Sequence, residues 1–175
     1  MIKNTKGFTL IEIMIVITII GFLTMLVAVP YNFYSNISKV RISKEIIDQS
    51  ISDAISSANG RTNTDNKNIN IGLYLEKGRG EILSYSYPYN YTGSLFNFEG
   101  DIKLLKTIKL ESFVQLSKIK VDSNDTDKVL LYYKAPGGQL TIYKDENSTG
   151  STSDIIVGFQ GASDGVLSKE IKIKN

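Results

Sequence analysis

The sequence contains no cysteine and no histidine. The first absence excludes a disulfide framework, a thiol nucleophile and a thiolate metal site. The second removes the usual general base near neutral pH, the commonest metal ligand and any Ser–His–Asp triad. Carboxylates and lysines remain, but no convergent set of them suggests an active site, so the sequence reads as a non-enzyme that calls for no cofactor. A surplus of positive charge is missing as well. The formal net charge is +2, from 20 basic and 18 acidic residues, and setting aside Lys3 and Lys6 leaves 18 against 18. Proteins that grip phosphates normally carry a clear basic excess. Nucleic-acid binding would need a local patch that one dimension does not display, and no small-molecule ligand is indicated.

What is present is unevenly placed. At 175 residues the chain is long enough for one modest domain. With 42% hydrophobic and 22% charged residues it is neither disordered nor a multi-span membrane protein on average. Residues 8–29, FTLIEIMIVITIIGFLTMLVAV, form an apolar run of 22 with a single charge, Glu12. As a helix this run spans about 33 Å, against a hydrocarbon core of about 30 Å. Lys3 and Lys6 give it a positive flank, so a secretory signal or a signal anchor is the plain reading. Yet the run exceeds an ordinary signal core, no small-x-small motif closes it, and Val29-Pro30-Tyr31 leads into further helix-like sequence. A carboxylate in such a helix costs about 2.5–3.5 kcal/mol on insertion scales, so Glu12 is rarely idle there.

The string KGFTLIEIMIVITIIGFL closely resembles the class III signal of type IV pilins and type II secretion pseudopilins. The resemblance implies that a prepilin peptidase cuts after Gly7 and methylates Phe8, leaving Glu12 as the fifth residue of the mature chain. Cutting there would expose a positive amine on Phe8, beside the positive end of the helix dipole. Glu12 could neutralise that amine within one chain or from a neighbouring subunit, and pairing would offset the desolvation of a buried carboxylate. Gly21 and Pro30 are poor interior helix residues, and Pro removes a backbone bond. Membrane helices tolerate both, but in assembled pilins the helix loosens or bends in this region, so the resemblance implies a kink near Pro30. The implied partners are prepilin peptidase, other pilins or pseudopilins, an inner-membrane assembly platform and membrane lipid. The implied location is a single pass through the inner membrane, then an extracellular or periplasmic filament.

From Tyr31 to Asn59 the pattern turns amphipathic. Ile37, Val40, Ile47, Ile51, Ala54 and Ala58 recur at three/four spacing, with Lys44 the miss in the series, and Ile42, Ile46 and Ile55 widen the stripe. Asn59-Gly60 fits a C-cap. The opposite face, with Lys39, Arg41, Lys44, Glu45 and Asp48, reads as solvated surface. After Gly60 the sequence becomes β-rich. Strands are expected at Ile69–Leu75, Ile82–Tyr87, Ile102–Leu110, Phe113–Val121, Val129–Lys134, Leu140–Lys144, Ile155–Phe159 and Val166–Ile173, separated by turn formers. The stretch YSYPYNYTGSLFNF reads as an exposed or half-exposed loop, able either to bind a partner or simply to fill pleated surface. The fold class expected is therefore α+β, pilin-like: a leader at 1–7, a transmembrane and assembly half-helix at 8–29, an amphipathic half at 30–60, and an antiparallel β-rich head at 61–175.

Three features of the head share the composition of ligand sites. Asp122, Asn124, Asp125 and Asp127 are oxygen-rich, as Ca²⁺ sites are, but the glycine and distal glutamate of a calcium loop are missing and a solvated turn explains them. Lys77-Gly78-Arg79-Gly80 lacks the Walker pattern and a following helix, which leaves a hairpin turn. Sequons at Asn90 and Asn147 matter only in a eukaryotic secretory setting. The segment YYKAPGGQLTIYKDENSTGSTSDIIVGFQGASDGVLSKEIKI resembles the carboxyl-terminal strands of H-type minor pseudopilins and minor pilins, through an aromatic strand, a Pro-Gly turn and two strands around a glycine. That resemblance implies a minor rather than a major subunit of a pilus or a secretion pseudopilus. Missing cysteines set the chain apart from many major pilins. A membrane-tethered binding module and a DNA-uptake pilin are the competing readings.

Overall fold

The computed structural model describes residues 7–60, 68–122, 124–144, 155–161 and 168–173. The chain divides into two compact units, Met1–Ile37 and Ser38–Asn175. Among the described residues, one helix, α1 (Leu10–Gly60), contributes to both, and nine strands follow it. These are β1 (Ile69–Glu76), β2 (Glu81–Pro88), β3 (Lys103–Lys109), β4 (Val114–Val121), β5 (Asn124–Asp125), β6 (Lys128–Lys134), β7 (Gln139–Lys144), β8 (Ile155–Gly161) and β9 (Ser168–Ile173). They form a five-stranded sheet, ordered β3-β2-β1-β6-β7, and a four-stranded sheet, ordered β5-β4-β8-β9. Every pairing is antiparallel. The fold is the α+β arrangement expected, an apolar amino-terminal helix leading into an antiparallel β head.

Within the second unit, α1 lays Val40, Ile47, Ala54 and Ala58 into one continuous core. The same core takes Ile71, Leu73 and Leu75 from β1, Val129 and Leu131 from β6, and Leu116, Val121, Val157 and Phe159 from the smaller sheet. The helical stripe is narrower than its isoleucines suggest. Ile42 and Ile55 are exposed, and Ile46 and Ile51 are only half-buried. The positions between them belong to Ser43 and Ser50, both buried. Small hydroxyl residues let the helix approach closely while meeting their own polar needs. Ser43 Oγ accepts the Glu111 N–H at 3.0 Å, and Ser50 Oγ–H donates to the Ile46 carbonyl at 2.6 Å.

The five-stranded sheet is buried on its other face too. Tyr74, Tyr85, Tyr87, Ile102, Leu130 and Tyr132 form a second cluster, against which Tyr91, Leu95, Phe96 and Phe98 pack. The Tyr-rich stretch expected as an exposed or half-exposed loop is strand as far as Pro88 and, beyond it, a half-exposed layer over this cluster. Its strand portion alternates faces with period two, and the segment after Pro88 folds its aromatics back over β1, β2 and β6. Tyr85 and Phe98 stack with ring centroids 4.2 Å apart, and Tyr74 meets Phe98 edge-on at 5.1 Å. Gly72 makes room for this layer: a Cβ there would stand 2.5 Å from Tyr87 Cε2.

Asn70 ties the layer down. Its Nδ2 donates to Tyr132 Oη at 2.7 Å and to the Tyr89 and Pro88 carbonyls at 3.2 and 3.3 Å, while its Oδ1 accepts the Ala135 N–H at 2.8 Å. Strand bounds match expectation to within a residue or two at the described positions. The addition is β5, two residues that pair with β4 inside the segment expected as a turn.

Candidate functional site

The amino-terminal unit carries the expected processing and assembly residues. Residues 7–9 precede α1 without regular structure, and Gly7 and Phe8 are exposed, Phe8 by 83%. The Gly7–Phe8 bond therefore lies outside helical hydrogen bonding. The helix begins at Leu10 because Thr9 caps it. Thr9 N–H and Oγ1–H donate to Glu12 Oε2 at 2.8 and 2.9 Å, and Glu12 N–H donates back to Thr9 Oγ1 at 3.3 Å. This reciprocal pair is a capping box, and it sets a carboxylate against the positive end of the helix dipole. Thr9 is a site residue that the motif alone does not single out, although Thr-x-x-Glu before an apolar run is itself a signature of a helix start.

Leu10–Val27 is long and apolar enough to cross a membrane, and none of it is buried among the described residues. The hydroxyls in this stretch are satisfied locally. Thr18 Oγ1–H and Thr24 Oγ1–H donate to the carbonyls four residues earlier, Met14 and Ile20, each at 2.8 Å. Internal satisfaction of that kind is what a hydrocarbon environment demands. Gly21 lies mid-segment with open space around it, and Pro30 falls inside the bounds of α1. The structure thus brings Thr9 and Glu12 together just beyond Gly7 and Phe8, and places Gly21 and Pro30 further along the same helix.

The remaining candidates in the head are accounted for by structure. Residues 77–80 make the turn between β1 and β2, with Gly78 at φ 82°. Arg79 there pairs with Glu76 and, at 3.5 Å, with Glu81. In the acidic segment, Asp125 pairs with Lys120 at 3.6 Å and Asp127 with Lys77 at 3.8 Å. Among the described residues no group of three or more acidic side chains is placed to hold a metal ion. On the polar face of α1, Arg41 pairs with Glu45 at 3.5 Å, and Lys39 Nζ stands 5.4 Å from the Phe113 ring centroid. Asn90 lies in the covering loop, whereas Asn147 lies outside the described residues.

Residues 2–28 match the family model of the prokaryotic N-terminal methylation motif. No curated protein and no solved structure matches the chain. The motif supports a type IV pilin or pseudopilin-like role, which is structural rather than catalytic. It implies processing by prepilin peptidase and assembly with other pilins, and with the apolar helix it suggests a membrane-anchored protein.

Proposed function

We propose that the chain is a minor subunit of a type IV pilus or of a type II secretion pseudopilus. It is cut after Gly7, methylated on Phe8, and held as a single-pass protein of the inner membrane until an assembly platform moves it into a filament. The observation that carries this reading is the methylation motif over residues 2–28, with its one acidic side chain at Glu12. The geometry supports it in two ways. The bond to be cut stands exposed before the helix, and Glu12 already reaches back to the Thr9 amide, one residue from the amine that cutting creates. Among the described residues the apolar side chains of Leu10–Val27 find no cover, so lipid first and neighbouring helices later supply it. Gly21 and Pro30 provide the place where α1 loosens or bends on assembly.

Intact-mass analysis of the full chain, recovered from membranes of cells that express a prepilin peptidase, tests this reading. The expected product begins at methylated Phe8. An uncut chain, or one cut beyond residue 29, overturns it in favour of a tethered or secreted β domain. A second test concerns Glu12. Glu12→Ala leaves processing largely intact and reduces incorporation into filaments, whereas normal assembly of that variant removes the pairing role.

A further inference from the structure

On the outer face of the five-stranded sheet, the covering loop stops short of edge strand β7. It leaves a cleft of about 740 Å³ between Tyr89–Leu95 and the outward residues of β6 and β7. That volume lies within the range of about 300–1,000 Å³ usual for small-molecule sites. Its aromatic surface comes from Tyr89, which is exposed, from half-buried Tyr91 and Tyr143, and from Tyr132 behind them. Tyr132 and Tyr143 meet edge-on at 6.0 Å. The floor is rigid, because Asn70 holds Tyr132, Ala135 and the Pro88–Tyr89 carbonyls at once.

Around those rings stand polar groups with unspent capacity. The side-chain amides of Asn90 and Gln139 and the hydroxyls of Thr141 and Tyr143 line the cleft and make no side-chain hydrogen bond among the described residues. Amides and hydroxyls each offer both a donor and an acceptor. Among the described residues the lining contains no carboxylate, and its single charged side chain is Lys134, exposed at the rim.

We propose that this cleft binds a neutral saccharide. A sugar ring carries hydroxyls that both donate and accept, and it carries C–H faces that lie against aromatic rings, so it answers both halves of the lining. Other classes fit less well. An acyl chain would strip water from four polar side chains without replacing their hydrogen bonds, which is costly. A phosphorylated or sulfated ligand would meet one lysine and no bidentate partner. A peptide added to the β7 edge would use backbone groups of the strand rather than a pocket on its face. The cleft lies wholly within residues 70–143, so the proposal stands whether or not the chain enters a filament.

The test uses the full chain in a zwitterionic, sugar-free detergent, titrated with chitohexaose, mannohexaose and cellohexaose and followed by tyrosine fluorescence and saturation-transfer NMR. Galacturonan hexamer and a proline-rich peptide serve as competitors of other chemistry. At least one neutral hexaose is expected to bind with a Kd of about 10 μM to 1 mM. Gln139→Ala and Asn90→Ala alter exposed side chains and preserve the fold, and each is expected to weaken binding by about tenfold. Tyr143→Ala is expected to abolish it. Asp53→Ala, in the separate groove beside α1, leaves Kd unchanged. The proposal is overturned if none of the three hexaoses binds, if Gln139→Ala and Asn90→Ala bind as the parent does, or if galacturonan or the peptide binds more tightly.

Discussion

The two faces of the five-stranded sheet are buried by different means. Towards α1 the sheet presents Ile71, Leu73, Leu75, Val129, Leu131 and Ile142, and regular elements cover them. On the other side it presents Tyr74, Tyr85, Tyr87 and Tyr132, and an irregular loop covers them. The aliphatic face is held by packing, in which shape matters and direction does not. The aromatic face adds directed contacts: edge-to-face rings, the Tyr87 hydroxyl donating to the Leu95 carbonyl at 2.8 Å, and the four bonds of Asn70. A loop without secondary structure has backbone groups to satisfy, and tyrosine and asparagine satisfy some of them while still filling space. The same chemistry leaves polar groups at the layer's margin, where the proposed saccharide cleft opens.

The largest effects should separate the two faces by mechanism. Ile47 is fully buried on the helix side, and Ile47→Ala is expected to cost about 2–5 kcal/mol through lost transfer energy and a cavity. Denaturant unfolding of the full chain in detergent measures it. An equal deletion at Ile17, in the uncovered stretch of α1, is expected to stay within about 0.5 kcal/mol. Equal losses at both positions would break the distinction between covered and uncovered halves of the helix. On the aromatic face, Asn70→Ala orphans the buried Ala135 N–H and Tyr132 hydroxyl. The expected cost is about 1–3 kcal/mol, and hydrogen exchange should show the Pro88–Tyr89 region opening well before the aliphatic core. Uniform loss of protection would show that the loop does not form a separate layer.

Alkaline pH sharpens the contrast further. Burial raises Tyr74 and Tyr132 from the ordinary value of 10.0 to about 12, with nearby Glu76 adding to the effect at Tyr74. Burial raises Tyr85 and Tyr87 on the same face, and Tyr133 on the other. Raised values mean that the folded state holds these protons more tightly than the unfolded chain does. Their contribution is therefore complete below pH 10 and is lost as pH climbs through about 12. Tyrosinate absorbance and unfolding should rise together in that window, and Tyr74→Phe with Tyr132→Phe should shallow the slope. An unchanged slope would leave alkaline unfolding to Tyr85, Tyr87 and Tyr133 rather than to this pair.

Much of this is legible in one dimension, for physical reasons that differ by region. The amino-terminal helix announces itself because a long run with one charge has few alternatives, and strands such as β1 and β6 show in their β-branched and aromatic runs. The inward stripe of α1 is narrower than its pattern suggests. Isoleucine marks apolarity, but Ser43 and Ser50 fit the close approach, while Ile42 and Ile55 lie at its edges. The covering loop looks like surface in the sequence because its apolar residues follow no period, so nothing marks which of them fold back. Asn70 carries no local signal at all. Its partners lie 18 to 65 positions away, and a lone asparagine in a strand gives no sign of them. Thr9 does carry one, since its capping partner is three residues on.

The cleanest comparison falls on adjacent residues. Tyr132 and Tyr133 point to opposite faces of β6. The Tyr132 hydroxyl accepts the Asn70 amide at 2.7 Å, whereas the buried Tyr133 hydroxyl has no partner among the described residues. Replacing each by phenylalanine removes the same atom and conserves the ring. At Tyr132 the change deletes a made hydrogen bond and is expected to cost about 0.5–1.5 kcal/mol. At Tyr133 it removes a polar group that folding strips of water without recompense, and stability is expected to rise by about 1 kcal/mol. Opposite signs in paired denaturant titrations would show that the tyrosine hydroxyl is bonded on the aromatic face and unrecompensed on the aliphatic one. Two losses of equal size would mean that the Tyr133 hydroxyl is bonded in solution and that the faces differ less than their packing suggests.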